Sequence, residues 1–139
     1  MIVGIGIDIL SLSRIRELIL RRGADKLAKR ICTEGEYSLF KEIEQPPRGS
    51  SIDQEVLDEK RLRFLSSRWT LKEASYKSLA SHLPGHPPTW KSLEITHSPS
   101  GQPILRPTDR IVAEKYSLMG SLSHDAGVVV GVVIAQRSG

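Results

Sequence analysis

Three stretches of this sequence hold residues able to do chemistry. The first is Gly4-Ile5-Gly6-Ile7-Asp8, where two glycines leave one face of an apolar segment bare and an acid stands at its carboxyl end. A dinucleotide site does not fit, because no third glycine opens the next helix and the acid comes too early. Taken alone, Asp8 reads as a helix-capping residue. The second stretch runs from Arg68 to Lys77, reading RWTLKEASYK, with Glu73 four residues after Trp69 and three before Tyr76, on an inward stripe. A carboxylate there is costly to bury unless it is paired, protonated or bound to a metal, and an i,i+4 pair with Lys77 is the plain alternative. Arg68, Lys72 and Lys77 place three cations within about two and a half turns, enough to hold a polyphosphate if they converge. The third stretch is Ser121-Leu122-Ser123-His124-Asp125. It lacks the Gly-x-Ser-x-Gly elbow of a hydrolase, so His124 reads as an ordinary strand-end histidine. His82, His86 and His97 lack metal-ligand spacing, and the lone Cys32 has neither a disulfide partner nor a zinc pair. That cysteine usage suits a reducing compartment, the cytoplasm or a mitochondrial matrix.

The elements that position these residues follow from periodicity. Ile2 to Ile7 reads as a buried strand ending at Asp8. A helix follows, capped by Ser11 or Ser13, with Ile15, Leu18 and Ile19 inward and Arg14 and Arg21 on a shared outer face; it continues through Lys26 to Arg30. Thr33 and Glu36 have capping-box spacing for a helix that buries Phe40 and ends near Gln45. Residues 45–60 read as an exposed, mobile loop. Lys60 to Ser81 forms a long helix, with apolar positions recurring every three or four residues until Pro84, Gly85, Pro87 and Pro88 stop it. Leu93 and Ile95 lie in a short strand, Gly101-Gln102-Pro103 turns the chain, and Ile104 to Arg106 extends again. Thr108 and Asp109 start a short helix to Tyr116, and Met119 to His124 with Val128 to Ala135 form a terminal hairpin. The class is α+β, a small mixed antiparallel sheet packed with a long helix, in one domain over residues 1–139.

With 139 residues, 39% hydrophobic and 26% charged, the chain is that of an ordinary globular domain, not a collagenous, disulfide-rich or disordered one. Its longest apolar run is about half a bilayer span, so a membrane segment is not expected, nor is a secretory leader. The net charge of +4 is front-loaded. Residues 1–30 hold seven basic side chains against three acids, and the rest balances. A basic front suits an acidic partner, but no aromatic residue interleaves with it, which disfavours a base-stacking nucleic-acid platform.

Taken together and in order, Gly-Ile-Gly-Ile-Asp, Arg-aromatic-x-x-Lys-Glu-Ala-x-x-Lys on a long helix, Gly101-x-Pro103-x-Leu105 and Ser-x-Ser-His before a valine strand resemble the holo-acyl-carrier-protein synthase family over most of the chain. The resemblance implies the 4′-phosphopantetheinyl transferase fold and transfer of the pantetheine arm of coenzyme A to a serine of an apo acyl carrier protein. It implies release of adenosine 3′,5′-bisphosphate, and so a place in fatty acid biosynthesis. Asp8 and Glu73 match the family's Mg²⁺-binding acids, and the proton acceptor is Glu73 or a metal-bound water. Arg68, Lys77 and His124 match positions that contact coenzyme A, with Trp69 in place of the usual Phe. Arg14 and Arg21 match positions facing the acidic carrier, and the small members are homotrimers with sites between subunits. Two departures stand out: residues 45–60 exceed the compact members, and 82–90 replaces a Gly-Thr-Gly turn, leaving Gly85 to approach the phosphate. The competing reading is a non-enzymatic basic module for nucleic acid or an acidic protein, with steep salt dependence and no need of Mg²⁺.

Overall fold

A computed structural model describes residues 1–44, 53–85 and 88–139. Strand β1 spans Ile2–Ser11, longer than its glycine motif, because the alternation continues through Ile9 and Leu10. Asp8 therefore sits inside the strand, opposite Gly131, and is not a helix cap. Helix α1 (Leu12–Arg22) is entered at Ser11 without a side-chain cap bond, and the Ser11 and Ser13 hydroxyls bond each other at 2.7 Å instead. Gly23, at φ +86°, breaks the helix before α2 (Ala24–Ile31) restarts it. The sequence reading runs through this break, which the left-handed conformation open to glycine permits.

Thr33 and Glu36 form the expected capping box: Glu36 N donates to Thr33 Oγ1 at 3.2 Å and Thr33 N to Glu36 Oε1 at 2.9 Å. Helix α3 runs Glu34–Glu44. Of the loop expected over 45–60, residues 45–52 lie outside the described residues, and the remainder is mostly helix. Helix α4 spans Gln54–Leu79, starting six residues before Lys60. Asp53 caps it by accepting from Glu55 N at 3.2 Å, and Leu57 anchors the extra turn in the core. A 3₁₀ turn at Ala80–His82 ends it.

Strands β2 (Leu93–His97) and β3 (Pro103–Pro107) pair across the expected turn, after a 3₁₀ turn at Trp90–Ser92. Helix α5 (Arg110–Lys115) is capped by Asp109, which accepts from Val112 N at 3.0 Å. Strands β4 (Tyr116–Asp125) and β5 (Val128–Arg137) form the terminal hairpin, closed by Ala126 and Gly127 at φ 50° and 76°. The sheet has the order β1-β5-β4-β3-β2 and is antiparallel wherever strands pair, confirming the α+β class.

Helix α4 lies directly against β1 and β5. A Cβ on Gly6 would stand 1.9 Å from the Ala74 carbonyl oxygen, and one on Gly4 1.9 Å from that of Ser78. Backbone cannot yield as a side chain can, so the paired glycines are what let the helix touch the strand. Leu10, Ile15, Ile31, Phe40 and Leu65 form a core beneath α1–α3, and Leu71, Ala74, Ile95 and Val133 form another against the sheet. At about 1.5–3 kcal/mol per buried aliphatic side chain, packing rather than polar contact sets how residues 68–77 lie over β1.

Candidate active site

The close approach of α4 to β1 brings the first two sequence stretches together. Lys77 Nζ donates to the Ile7 carbonyl at 2.9 Å and to Asp8 Oδ1 at 3.1 Å. The Asp8 side chain is 15% exposed and that of Lys77 49%, so the pair stands at the surface with Asp8 turned inward. Lys77 thus chooses Asp8 over the i,i+4 partner that spacing offered it. Glu73, one turn earlier on the same flank, receives no hydrogen bond or ion pair among the described residues, though it is half-buried. Among the described residues nothing bonds Asp8 Oδ2, and Lys77 uses two of its three donors. Two carboxylates with free oxygens suit a hard cation that fills its shell with water and substrate oxygens. No cluster of three or more ligating side chains occurs among the described residues.

Glu73 also faces a cleft of about 760 Å³ between α4, residues 82–84 and 88–92, and α5. Its walls are mainly apolar, with Leu79, Leu83, Val112 and Leu118, and its polar groups include Lys72, His82 and Lys115. Asp8 and Lys77 flank Glu73 outside the cleft proper. His82, given no role from sequence, bonds the Val3 carbonyl through Nε2 at 2.8 Å and so ties the cleft floor to β1. Gly85 is exposed beside the cleft-lining Pro84 with φ +79° and open space around it; its neighbours 86 and 87 lie outside the described residues.

The three cations of the α4 motif do not converge. Lys72 is buried, and its three donors go to Glu36 Oε1 at 2.5 Å, the Ile31 carbonyl at 2.6 Å and the Trp90 carbonyl at 2.8 Å. Arg68, expected at coenzyme A, is also sealed: its guanidinium lies 3.6 Å over the Phe64 ring, and Nε stands 3.7 Å from Glu36 Oε2 without a hydrogen bond. The helical turn that points Lys77 outward points Arg68 and Lys72 toward α3, and Arg68 does not line the cleft that Glu73 faces. Burial pushes the Lys72 ammonium and Arg68 guanidinium below their ordinary values, and Glu36 is the counter-charge opposing that shift. Glu36 is fully buried and also accepts from Ile95 N at 3.2 Å. Sequence reading found only its capping role, because its ion partner Lys72 lies 36 residues away and Ile95 59.

A second recess, about 630 Å³, lies between α1 and α2. Arg14, Arg21, Arg22, Lys26 and Arg30 line it against the single acid Glu17, over Leu18, Leu27 and Trp69. Arg14 and Arg21 therefore share a face as expected, and the Arg14 guanidinium lies 5.7 Å over the Trp69 ring. Trp69 packs in turn against Trp90, ring centroids 4.7 Å apart and tilted by 45°. His124 stands exposed at the hairpin mouth opposite Val129, outside the lining of either recess.

Comparison with known proteins matches residues 4–133 to the family described as the 4′-phosphopantetheinyl transferase superfamily. The chain is 37% identical over 106 residues to the holo-[acyl-carrier-protein] synthase of Blochmanniella floridana, covering 76% of this chain and 71% of that protein. It is 31% identical over 123 residues to that of Shewanella oneidensis, covering 88% and 84%. Among solved structures, the Bacillus anthracis holo-(acyl-carrier-protein) synthase in complex with CoA (3′,5′-ADP) superposes with a TM-score of 0.69 at 28% identity, covering 100% of this chain and 99% of that one.

Proposed function

The chain belongs to the 4′-phosphopantetheinyl transferase superfamily, and from that premise we propose that Glu73, Asp8 and Lys77 carry out its reaction. The chain is a holo-[acyl-carrier-protein] synthase, which transfers 4′-phosphopantetheine from coenzyme A to a serine of an apo acyl carrier protein. The observation that carries the site assignment is Glu73, a carboxylate with no partner among the described residues, on the cleft lining beside the Asp8–Lys77 pair.

Asp8 and Glu73 would hold Mg²⁺, which if bound would supply positive charge beside the pyrophosphate. The remaining donor of Lys77 adds a fixed charge beside them. Glu73 accepts the proton as the serine oxygen bonds to the β-phosphorus, and the bond from that phosphorus to the bridging oxygen breaks, releasing adenosine 3′,5′-bisphosphate. The cleft takes the nucleotide half of coenzyme A, with Gly85 at its rim where an anion meets bare backbone.

The basic recess receives the carrier. Arg14 and Arg21 face its acids, and Lys26 and Arg30 on α2 extend the same field. We place the reaction in the cytoplasm, where the chain's only cysteine stays reduced. The outer sheet face argues for assembly: Ile5, Ile7 and Ile9 are 59–68% exposed and Met119 54%, beside the half-buried Val130, Val132 and Ile134. So contiguous an apolar face calls for cover, and a closed homotrimer supplies it, with His124 reaching a neighbour's cleft.

Incubation with coenzyme A, Mg²⁺ and an apo acyl carrier protein tests the reading. Release of adenosine 3′,5′-bisphosphate that needs all three supports it. Salt-sensitive binding of nucleic acid with no release would favour a binding module instead. Light scattering alongside the assay tests assembly: specific activity should fall on dilution together with the trimer, and a fully active monomer would overturn it.

A further inference from the structure

One wall of the cleft that Glu73 lines is held in place from inside the protein. Trp90 belongs to that wall, and its carbonyl is bound by Lys72 Nζ at 2.8 Å. Lys72 is fixed in turn by Glu36 and the Ile31 carbonyl, so all three of its donors are committed and none is left for a ligand. Glu36 is fixed by its own capping box, by Ile95 N and by the Arg68 charge. This strut crosses from α3 through α4 to the segment leading into β2. Its two charged members are sealed, with side chains 0% and 3% exposed, while its far end forms an open wall. A buried charge pair is weak in net stabilisation, which makes a purely stabilising purpose a poor explanation for it.

We propose that Glu36 and Lys72 are positioning residues that set the cleft for its ligand by tethering the Trp90 carbonyl. The inference rests on the reading of that cleft as the coenzyme A site. Neither residue touches substrate. Lys72 lies next to Glu73 in sequence, and the strut therefore fixes the distance between the wall and the turn of α4 that carries Glu73. Losing it lets the wall drift, which weakens ligand binding before it alters the chemical step.

The test compares Glu36→Gln, the double variant Glu36→Gln/Lys72→Met and the core variant Phe40→Leu. The double variant removes both members of the Glu36–Lys72 pair together and leaves Arg68, held over the Phe64 ring, as the one buried charge of the group that loses its counter-charge. Phe40 is fully buried on α3, one turn beyond Glu36, and does not line the cleft, so its variant loses stability while keeping Glu36 and Lys72 themselves. KM for coenzyme A should rise about tenfold in both strut variants, with kcat and carrier KM within about twofold, whatever their melting temperatures. Amide hydrogen exchange over 88–93 should quicken in both and not in Phe40→Leu. An equal KM rise in Phe40→Leu, or a fall in kcat at unchanged KM, would overturn the assignment, as would failure of both strut variants to fold. Absence of transfer by the unaltered protein would instead count against the proposed function, and the exchange measurement would still decide whether the tether exists.

Discussion

Lys72 and Lys77 lie five residues apart on one helix, and each meets a carboxylate from elsewhere in the chain. Beyond that the two meetings differ. Lys72 and Glu36 are sealed, with side chains 3% and 0% exposed and the lysine's three donors all used. Lys77 and Asp8 are 49% and 15% exposed, with a donor and an oxygen atom left free and an unpartnered Glu73 next to them. Residue type therefore does not separate scaffold from site here. Unused bonding capacity beside an opening does.

The largest expected effect breaks the open half. Glu73→Ala and Asp8→Ala should each lower kcat by about 10²–10⁴-fold. Thermal stability should change by about 1 kcal/mol or less, as for a partly exposed pair. Steady-state rates with melting curves check this, and wild-type turnover in either variant at ordinary Mg²⁺ would remove the metal assignment. Next comes the sealed half. Lys72→Ala leaves Glu36 buried with only the poorly aligned Arg68 for compensation and should cost about 3–5 kcal/mol, whereas Lys77→Ala should cost about 1 or less. Denaturant unfolding of the two variants measures the contrast, and equal losses would erase it.

A smaller effect extends the contrast to the basic recess, whose cations are exposed like Lys77. Arg14→Glu or Arg21→Glu should raise the KM for the carrier about tenfold at low salt and progressively less as salt rises. Measured KM values for both substrates decide it, since a change confined to coenzyme A would mean that α1 serves the wrong ligand. The smallest effect concerns another sealed group. Burial pushes the Cys32 thiol up to about 11 from 9.0. The folded protein then keeps a proton that the unfolded chain releases, so this contribution is intact below pH 9 and is lost as pH rises toward 11. Melting temperatures of the wild type should fall across that window relative to Cys32→Ala, and parallel curves would contradict the burial argument.

The same contrast explains what the sequence made legible. Gly4, Gly6 and Asp8 announce a bare strand face with an acid, and the contact with Ala74 and Ser78 is what such glycines permit. Local pattern alone makes Asp8 a cap, because a strand's end is not marked when alternation simply continues into Ile9 and Leu10. The early start of α4 is hidden because residues 54–59 are polar except for Val56 and Leu57, too short an apolar stretch to show a helical period, and only the cap Asp53 and the buried Leu57 argue for helix there. Glu36, Lys72 and Arg68 could not be sorted from sequence at all. Whether a helical lysine faces solvent or a buried acid 36 residues away is settled by how α3 packs on α4, which no local spacing records. The basic recess was half legible: Arg14 and Arg21 follow from helical period, but α2 joins them only because Gly23 turns the chain back.

The most direct test of this division is the intact mass of an apo acyl carrier protein after incubation with coenzyme A, Mg²⁺ and either the wild type or Glu73→Ala. The wild type should convert the carrier to a species heavier by one phosphopantetheine on a single serine, and Glu73→Ala should leave it unmodified over the same interval. Equal conversion by both would show that the open carboxylate is not the working group, and the contrast drawn between the two halves of α4 would fail.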